Sequence, residues 1–182
     1  CNTRAACEEA ERQVTRVMKK LDLTLHPEKT RRVDVSWGKQ GFDFLGCHLR
    51  KRLSGPIWEK ERKRVYFLQR RPSARSCKRV RERIRALTLK GRCHEDVRVI
   101  IKELNPVLRG WAEYFRTGNA SDDFVSVDRY VAWRLKRLLI KRKGRHLKPG
   151  ELKKWHRGFF ENHGLIRLMG RIQYPGAANA TL

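Results

Sequence analysis

The spacing of apolar residues predicts an amphipathic helix near the start of the chain. Over residues 5–21 the apolar side chains recur at helical spacing and fall on one stripe. The members of this stripe are Ala6, Ala10, Val14, Val17 and Leu21. Asn2 or Thr3 can cap the helix, because either side chain accepts a hydrogen bond from an N–H group of the first turn.

Short runs with β-type patterns follow this helix. Predicted strands cover residues 23–25, 33–37, 42–45 and 65–68, where apolar and polar residues alternate or β-formers cluster. Residues 38–41, Gly-Lys-Gln-Gly, have the composition of a turn. The strands on either side of that turn should therefore form a β-hairpin. Pro72 closes the region, because proline ends strand pairing.

From Ser73 onward the period becomes helical. Ser73 can cap a helix with its apolar stripe at positions 77, 80, 84 and 87, and residues 97–104 define a second helix. Asn105-Pro106 predicts the start of a third helix, because Asn is a good N-cap and Pro suits the first helical position. The apolar stripe of this third helix contains Leu108, Trp111 and Phe115, which we interpret as core.

A fourth helix should begin near Ser121 and end at Gly144. Asp122 and Asp123 then lie at the positive end of its dipole, where we interpret them as capping carboxylates. Residues 151–162 predict a short helix and residues 165–174 an extended segment. The predicted fold class is α+β: a helix plus β-hairpin, followed by a basic helical bundle.

The charge of the chain points to a polyanionic partner. The 182 residues contain 44 Lys and Arg against 19 Asp and Glu, a net charge of +25 with a pI near 10.8. A membrane-spanning segment is not expected, because the apolar runs are far shorter than the roughly 20 residues a span needs. The N-terminal residues lack the pattern of a signal peptide, and the five cysteines form no Cys-x-x-Cys pair. We therefore expect an intracellular protein with reduced thiols.

The positive charge is concentrated in two segments. Residues 62–92 hold thirteen basic residues against Glu82 alone, and residues 129–148 hold nine with no acidic residue. Like charges of this density repel one another and destabilise a compact state. Phosphate groups of a nucleic acid would neutralise them, so both segments are candidate nucleic-acid-binding surfaces.

Two sets of motifs resemble one protein family. The first is Leu25-His26-Pro27-Glu28-Lys29-Thr30 followed by Phe42-x-Phe44-Leu45-Gly46; the second is Leu104-Asn105-Pro106-x-x-Arg109-Gly110-Trp111-Ala112-x-Tyr114-Phe115, with Phe124, Asp128, Tyr130 and Arg134-Leu135 after it. In this order they resemble the group II intron-encoded reverse transcriptases, also called maturases. The resemblance implies the end of a polymerase palm with its primer-grip hairpin over residues 1–72. It implies a maturase-specific thumb, or X, bundle over 73–146 and an extension over 147–182 that contacts DNA.

The same resemblance assigns roles to individual residues. Lys29 matches a polymerase lysine near the triphosphate, and Phe44, Leu45 and Gly46 match the primer grip; Cys47 departs from the family, where an aromatic or aliphatic residue is common. The family's Tyr-Ala-Asp-Asp metal site would lie before Cys1, so Mg²⁺ is expected for an intact parent and no metal for this chain. The expected partners are intron RNA, a primer–template and possible target DNA, in a bacterial cytoplasm or an organelle. Dimerisation stays open.

Basic residues on the predicted helices are the candidate RNA contacts. They are Arg75, Lys78, Arg79, Arg81, Arg109, Arg129, Lys136 and Arg137, together with Trp133. Trp133 has two interpretations: a platform for an RNA base, or a core residue packed under the C-terminal helix around Trp155. His146, His156 and His163 lack the paired cysteines or carboxylates of a zinc or nuclease site.

Two alternatives to an intron reverse transcriptase remain open at this stage. One is a non-enzymatic, basic RNA-binding module of a splicing or ribosome-associated protein. The other is an architectural DNA-binding protein, which would bind duplex DNA as tightly as RNA.

Overall fold

The computed structural model describes residues 3–148 and 150–173. These residues form an α+β fold, which confirms the predicted class. By compactness the chain divides into two units, Cys1–Asp34 and Val35–Leu182. The second unit contains both the sheet and the helical bundle. The domain boundaries proposed at 72/73 and 146/147 follow family motifs and stay predictions.

The first unit is built on helix α1, Arg4–Lys20, which confirms the helix predicted from the apolar stripe. The Thr3 hydroxyl caps it by accepting a hydrogen bond from the Ala6 N–H at 3.2 Å. Val14 and Val17 of the apolar stripe are 49% and 55% exposed, so this stripe is open to solvent.

A Schellman motif ends helix α1, so the strand predicted at residues 23–25 is wrong. Asp22 adopts a left-handed conformation, with φ of 52°. The N–H of Leu23 donates to the Met18 carbonyl, and the N–H of Asp22 donates to the Lys19 carbonyl. Leu23 is therefore used to terminate the helix, and its backbone donor is no longer free for a strand.

The second unit begins with a three-stranded antiparallel sheet in the order β1–β2–β3. The strands are β1 Gly41–Phe44, β2 Cys47–Leu53 and β3 Tyr66–Pro72. Phe44 pairs with Cys47 across a two-residue turn, and Cys47 pairs in turn with Pro72. The prediction of a strand at 65–68 is thus confirmed for most of its length, and β3 continues to Pro72.

The predicted hairpin turn at 38–41 is wrong, because the chain turns at Leu45–Gly46. Both residues have positive φ, 45° and 76°, as a type I′ turn requires. Glycine adopts such angles freely, whereas leucine does so rarely. Residues 33–37 form no strand; instead the Gly38 N–H donates to the Val35 carbonyl in a local turn.

A short helix, α2 Gly55–Glu61, connects β2 to β3 and was not predicted. Three long helices follow the sheet: α3 Ala74–Leu87, α4 Val97–Phe115 and α5 Ser121–Lys143. Segments of 3₁₀-helix, Lys90–His94 and Gly144–His146, flank them. The helix predicted at 151–162 is divided into α6 Glu151–Lys154 and α7 Arg157–Asn162. The described part of the predicted extended segment, residues 165–173, has a turn at 169–170 and is otherwise without regular secondary structure.

Helix α4 runs through Pro106, so the predicted separate second and third helices are one helix. An internal proline costs a helix about 3 kcal/mol, because it removes a backbone donor and crowds the preceding turn. Continuous burial offsets this cost: Leu104 and Leu108 on either side are 0% and 1% exposed. Asn105 does not cap a helix; its side chain binds the backbone of Gly164 and Ile166.

Helices α3, α4 and α5 enclose the hydrophobic core. The predicted stripes supply it, with Ile84, Leu104 and Phe124 all 0% exposed. Leu108 and Phe115 are buried as predicted, and Trp111 packs against the core while partly exposed. Within the described residues, no helix has both the length and the apolar content of a membrane span.

The C-terminal segment closes the open side of the core. Phe160 and Leu168 are 0% exposed and Leu165 is 5% exposed, and all three belong to the same cluster as the three long helices. The described cysteines, Cys7, Cys47, Cys77 and Cys93, are free thiols. Burial raises the pKa of Cys47 and Cys77, which makes these two thiols poor nucleophiles.

Candidate nucleic-acid interface

Three hydrogen bonds fix the β1–β2 turn to the helical bundle, one from a backbone N–H and two from side-chain hydroxyl groups. The Gly46 carbonyl accepts from the Ser73 N–H and the Ser76 hydroxyl, both at 2.9 Å. The Tyr114 hydroxyl donates to the Leu45 carbonyl at 2.6 Å. A Cβ at Gly46 would lie 2.9 Å from the Ser76 hydroxyl oxygen, so the close approach favours glycine.

The side chains beside this turn are left open to solvent. Phe44 is 58% and Leu45 70% exposed, although both are large and apolar. A groove of about 470 Å³ runs between the turn and helices α3 and α4. Its lining combines apolar and aromatic residues with one guanidinium group: Leu45, Val80, Val107, Trp111, Tyr114, Phe115 and Arg79 among others. Of the predicted primer-grip residues, Leu45 and Gly46 therefore line the groove, and the apolar side chains of Phe44 and Leu45 are exposed.

The solvent face of α3 carries basic side chains. Arg75, Lys78 and Arg79 are exposed on it, opposite the buried stripe that contains Val80. Lys78 lies 3.9 Å from Glu82, a weak surface pair. Arg81 differs from these three, because its guanidinium donates to the Ser126 hydroxyl on α5 at 2.9 Å. Arg81 thus joins two helices in addition to contributing charge.

Helix α5 carries the other group of predicted contacts. Trp133 is 47% exposed, which does not agree with the alternative that it is a core residue packed under the C-terminal helix. Its ring stacks with Tyr130 at 5.9 Å between centroids, and the Arg137 guanidinium lies 4.8 Å from the ring centroid. Arg129 is exposed one turn before Trp133, and Lys136 is half-buried one turn after it.

A basic cavity of about 290 Å³ adjoins this face of α5. It is lined by Thr88, Lys90, Arg134, Arg137, Leu138, Ile140 and Lys141. Arg134 is held in place, since its guanidinium donates to the Thr88 hydroxyl at 2.8 Å and to the Thr88 carbonyl at 2.6 Å. Arg137 lies at the edge shared by the cavity and the Trp133 ring. In the sequence, Arg134 belongs to the family motif but was not predicted as an RNA contact, because its bonds to Thr88 on a distant part of the chain are not visible in a linear pattern.

The remaining predicted residues lie elsewhere. Arg109 is exposed on α4. Lys29 is exposed in the first unit, in a turn that its own N–H and that of Thr30 close by donating to the His26 carbonyl. Lys29 thus belongs to the first unit and Arg109 to α4, whereas the other predicted cations lie on α3 and α5.

Asp123 has a role that the capping interpretation missed. Its carboxylate binds the Arg71 guanidinium through two hydrogen bonds of 2.9 and 3.1 Å, with the Asp123 side chain only 12% exposed. This hydrogen bond raises the pKa of Arg71 above its ordinary value, against the effect of burial. The pair attaches the end of β3 to the start of α5. Asp122, by contrast, is exposed in the first turn as predicted.

Asp128 is a buried carboxylate of the basic bundle with several hydrogen-bond partners. It is 2% exposed and accepts hydrogen bonds from the backbone N–H groups of Leu168 and Met169. The Arg157 guanidinium lies 2.9 Å away and also binds Glu161. Burial lowers the pKa of Arg157, but the hydrogen bonds to both carboxylates outweigh burial and raise it overall. In the sequence, the feature that could have identified this site is an aspartate at a buried position of the apolar stripe of α5.

The described residues bring together no group of three or more His, Cys, Asp or Glu side chains suited to a metal ion. The basic faces of α3 and α5 present guanidinium and ammonium groups suited to phosphates, and the exposed ring of Trp133 is suited to a base.

Comparison with known proteins identifies one related domain. Residues 77–158 match the family model described as group II intron, maturase-specific domain, a little less than half of the chain. The matched region contains most of α3 and all of α4 and α5, the helices that carry the basic faces. No curated protein matches the chain.

Proposed function

We propose that this chain binds the RNA of a group II intron and promotes its splicing as a maturase. The match of residues 77–158 to the maturase-specific domain is the observation that carries the proposal. The exposed basic residues of α3 and α5 support it, because they occupy the matched helices and lie in the two acid-poor segments. A positively charged helical surface of this kind binds phosphate groups whatever the sequence of the RNA.

The salt dependence of RNA binding tests this proposal. If the basic faces neutralise about six to eight phosphates, log K should fall against log salt with a slope of roughly −5 to −7. The measurement is a filter-binding or anisotropy titration with a folded group II intron RNA at several KCl concentrations. The variant Arg129→Gln/Arg137→Gln should reduce the slope by about 1.5, since it removes two cations.

A matched control is Lys153→Gln/Lys154→Gln, which removes two exposed cations from α6. It should leave the slope closer to that of the wild type than the α5 variant does. A wild-type slope shallower than about −2 would contradict the proposal, because so few released counterions exclude an extended phosphate-binding face. Duplex DNA bound as tightly as RNA at the same salt would favour an architectural DNA-binding protein instead.

Trp133 is proposed as an RNA contact within this surface. Stacking of a base on an aromatic ring contributes about 1–3 kcal/mol, so Trp133→Ala should weaken intron binding by roughly 10-fold or more. The melting temperature should change little, because the ring is 47% exposed. Trp133→Phe, which keeps an aromatic face, is the matched control. Loss of several degrees of stability with unchanged affinity per folded molecule would assign Trp133 to packing.

A finer proposal is that the chain is the palm end and thumb of an intron-encoded reverse transcriptase. The Lys29 motif and the Phe44-Leu45-Gly46 turn support it through their resemblance to the family. In such a protein the primer–template would contact the turn, Mg²⁺ would be held by carboxylates outside this chain, and target DNA would be a further partner. The confinement of the family match to the helical part favours a second candidate, an RNA-binding module without polymerase activity.

A further inference from the structure

The far end of the β-sheet forms a second basic and aromatic surface. One end of the sheet, at the pair Cys47–Pro72, is joined to the helices through Ser73 and the β1–β2 turn. The other end, at the pair Leu53–Tyr66, carries helix α2 and the residues after it. We call this end the sheet tip, and define it as residues 51–66 together with Trp37.

Trp58 on α2 is flanked by two guanidinium groups. Arg62 and Arg64 place their guanidinium carbons 5.8 and 5.7 Å from its ring centroid. Both arginines are exposed, and Arg62 has a left-handed conformation, with φ of 54°, that ends α2. Cation–π contacts of this kind order long, flexible side chains and so reduce the entropy lost when they bind a phosphate.

Trp37 is the most exposed aromatic residue among the large exposed hydrophobic side chains of the described chain, with 70% of its surface open. Its ring makes an edge contact with Tyr66 at 6.1 Å, which places it at the last residue pair of the sheet. Gly38 fixes this approach, because a Cβ at Gly38 would lie 2.3 Å from the Lys51 carbonyl oxygen. The backbone is therefore close-packed while the indole itself faces solvent.

The charge of the tip is strongly positive. Residues 51–64 contain six basic residues and two acidic ones, Glu59 and Glu61. One ion pair, between Lys63 and Glu61 at 4.0 Å, neutralises part of this charge. The six basic residues include Arg62 and Arg64, the two arginines that flank Trp58. The tip therefore combines the exposed indole of Trp37 with two guanidinium groups held against a second indole, that of Trp58. Aromatic faces and cations on one surface together bind unpaired bases and their phosphates.

The tip lies apart from the surface proposed above. Strands of seven residues separate its end from the bundle end of the sheet, a distance of about 20 Å at 3.3 Å per residue. It also lies outside the matched residues 77–158. A ligand long enough to contact both surfaces must therefore extend beyond a single nucleotide.

We propose that the sheet tip binds an unpaired RNA segment that adjoins the helix-bound RNA, with a base on Trp37 and phosphates on Arg62 and Arg64. The proposal rests on the RNA binding proposed for the helical bundle. An unpaired segment is favoured over a duplex because base faces are accessible for stacking only where the strand is unpaired. Trp37 offers such a face, and the exposed guanidinium groups supply the charge that follows the backbone.

The experiment uses the whole chain and two RNA probes. One is a blunt RNA hairpin, and the other is the same hairpin with a single-stranded tail of about eight uridines, within the range of sites for single-stranded binding. The wild type should bind the tailed hairpin roughly 10-fold more tightly than the blunt one. Trp37→Ala and Arg62→Gln/Arg64→Gln should lose most of this advantage while binding the blunt hairpin like the wild type.

Two matched controls separate the tip from general charge. Trp37→Phe keeps an aromatic face and should retain most of the advantage of the tail. Lys153→Gln/Lys154→Gln removes two exposed cations far along the chain and should retain all of it. Thermal melting checks that each variant is folded, and Trp37→Ala should fold because its side chain is largely exposed.

The outcomes distinguish the two proposals. If the wild type fails to bind the blunt hairpin, the RNA-binding function of the bundle fails. If the wild type binds it but gains nothing from the tail, or if the tip variants keep the full gain, the sheet tip is not a site for unpaired RNA. If a tail of abasic residues increases the affinity as much as the uridine tail does, base stacking on Trp37 is excluded.

Discussion

Replacing Asp128 with alanine is expected to destabilise the helical bundle by about 3 kcal/mol. The change removes the acceptor of two backbone N–H groups, at Leu168 and Met169, and leaves the partly buried Arg157 with Glu161 as its remaining carboxylate. Unpaired buried groups of these kinds cost roughly 1–3 kcal/mol each, and more for a charge. For a chain of this size the melting temperature should fall by roughly 6–12 °C.

The matched control is Asp122→Ala, which removes an exposed carboxylate from the first turn of the same helix. It should cost at most about 1 kcal/mol, the usual contribution of a charge at a helix end. Amide hydrogen exchange gives a local readout. The amides of Leu168 and Met169 should exchange faster than in the wild type in Asp128→Ala, and at the wild-type rate in Asp122→Ala. The variant Asp128→Asn should lose less stability than Asp128→Ala, because its side-chain oxygen can still accept a hydrogen bond from the backbone N–H groups of Leu168 or Met169. Equal stability of Asp128→Ala and Asp122→Ala would show that the buried pair does not hold the C-terminal segment.

If the chain works as part of a polymerase, Lys29→Ala is expected to slow nucleotide addition by roughly 10- to 1000-fold in a protein that joins this chain to the polymerase carboxylates. A positioned ammonium group can stabilise the charge that develops on the leaving pyrophosphate or donate a proton to it, and each effect has magnitudes of this order. The turn itself should survive the substitution, because backbone groups close it: the N–H groups of Lys29 and Thr30 both bind the His26 carbonyl. Single-turnover extension of an RNA-templated primer measures the effect.

Arg31→Ala serves as the control for Lys29, since Arg31 is an exposed cation two residues further along the same segment. Its variant should extend the primer at nearly the wild-type rate, and both variants should bind intron RNA like the wild type. Equal rates for Lys29→Ala and wild type would show that the motif only forms a turn. An RNA-binding module without polymerase activity would then be the better description.

The parts of the fold that follow from hydrophobic periodicity were predictable from the sequence. The stripes of α3 and α5 and the cap at Ser73 were predicted and are present, because burial of one helical face is repeated at a fixed spacing along the chain. Helix α1 was likewise predicted from its pattern, although the structure leaves its stripe exposed.

The errors arose where a distant contact overrides a local signal. Asn105-Pro106 is a good helix start in isolation, but the core on both sides and the bonds from Asn105 to Gly164 and Ile166 keep α4 continuous. The turn at Leu45–Gly46 contains a leucine with positive φ, and Tyr114 and Ser76 hold that turn from other elements. Local propensity contains no information about such partners.

For the candidate site, the sequence identified the basic segments but not the geometry within them. It could not show that Arg81 and Arg134 bind other elements, whereas Arg75, Lys78 and Arg79 face solvent. Side-chain partners 45 or more residues away decide which cations are free for phosphates. The roles of the individual cations in binding stay predictions.

Because residues 160–168 close the core, they determine where this domain can be truncated without loss of folding. The family pattern ends at residue 158, but Phe160, Leu165 and Leu168 fill the core beyond that point, and α4 and α5 bind the same segment through Asn105 and Asp128. An expressed piece that stops where the pattern stops would therefore expose apolar surface and invite aggregation. The smallest folding piece of the bundle extends past the recognisable motif, so the boundary for expression should be chosen from the packing and not from the pattern.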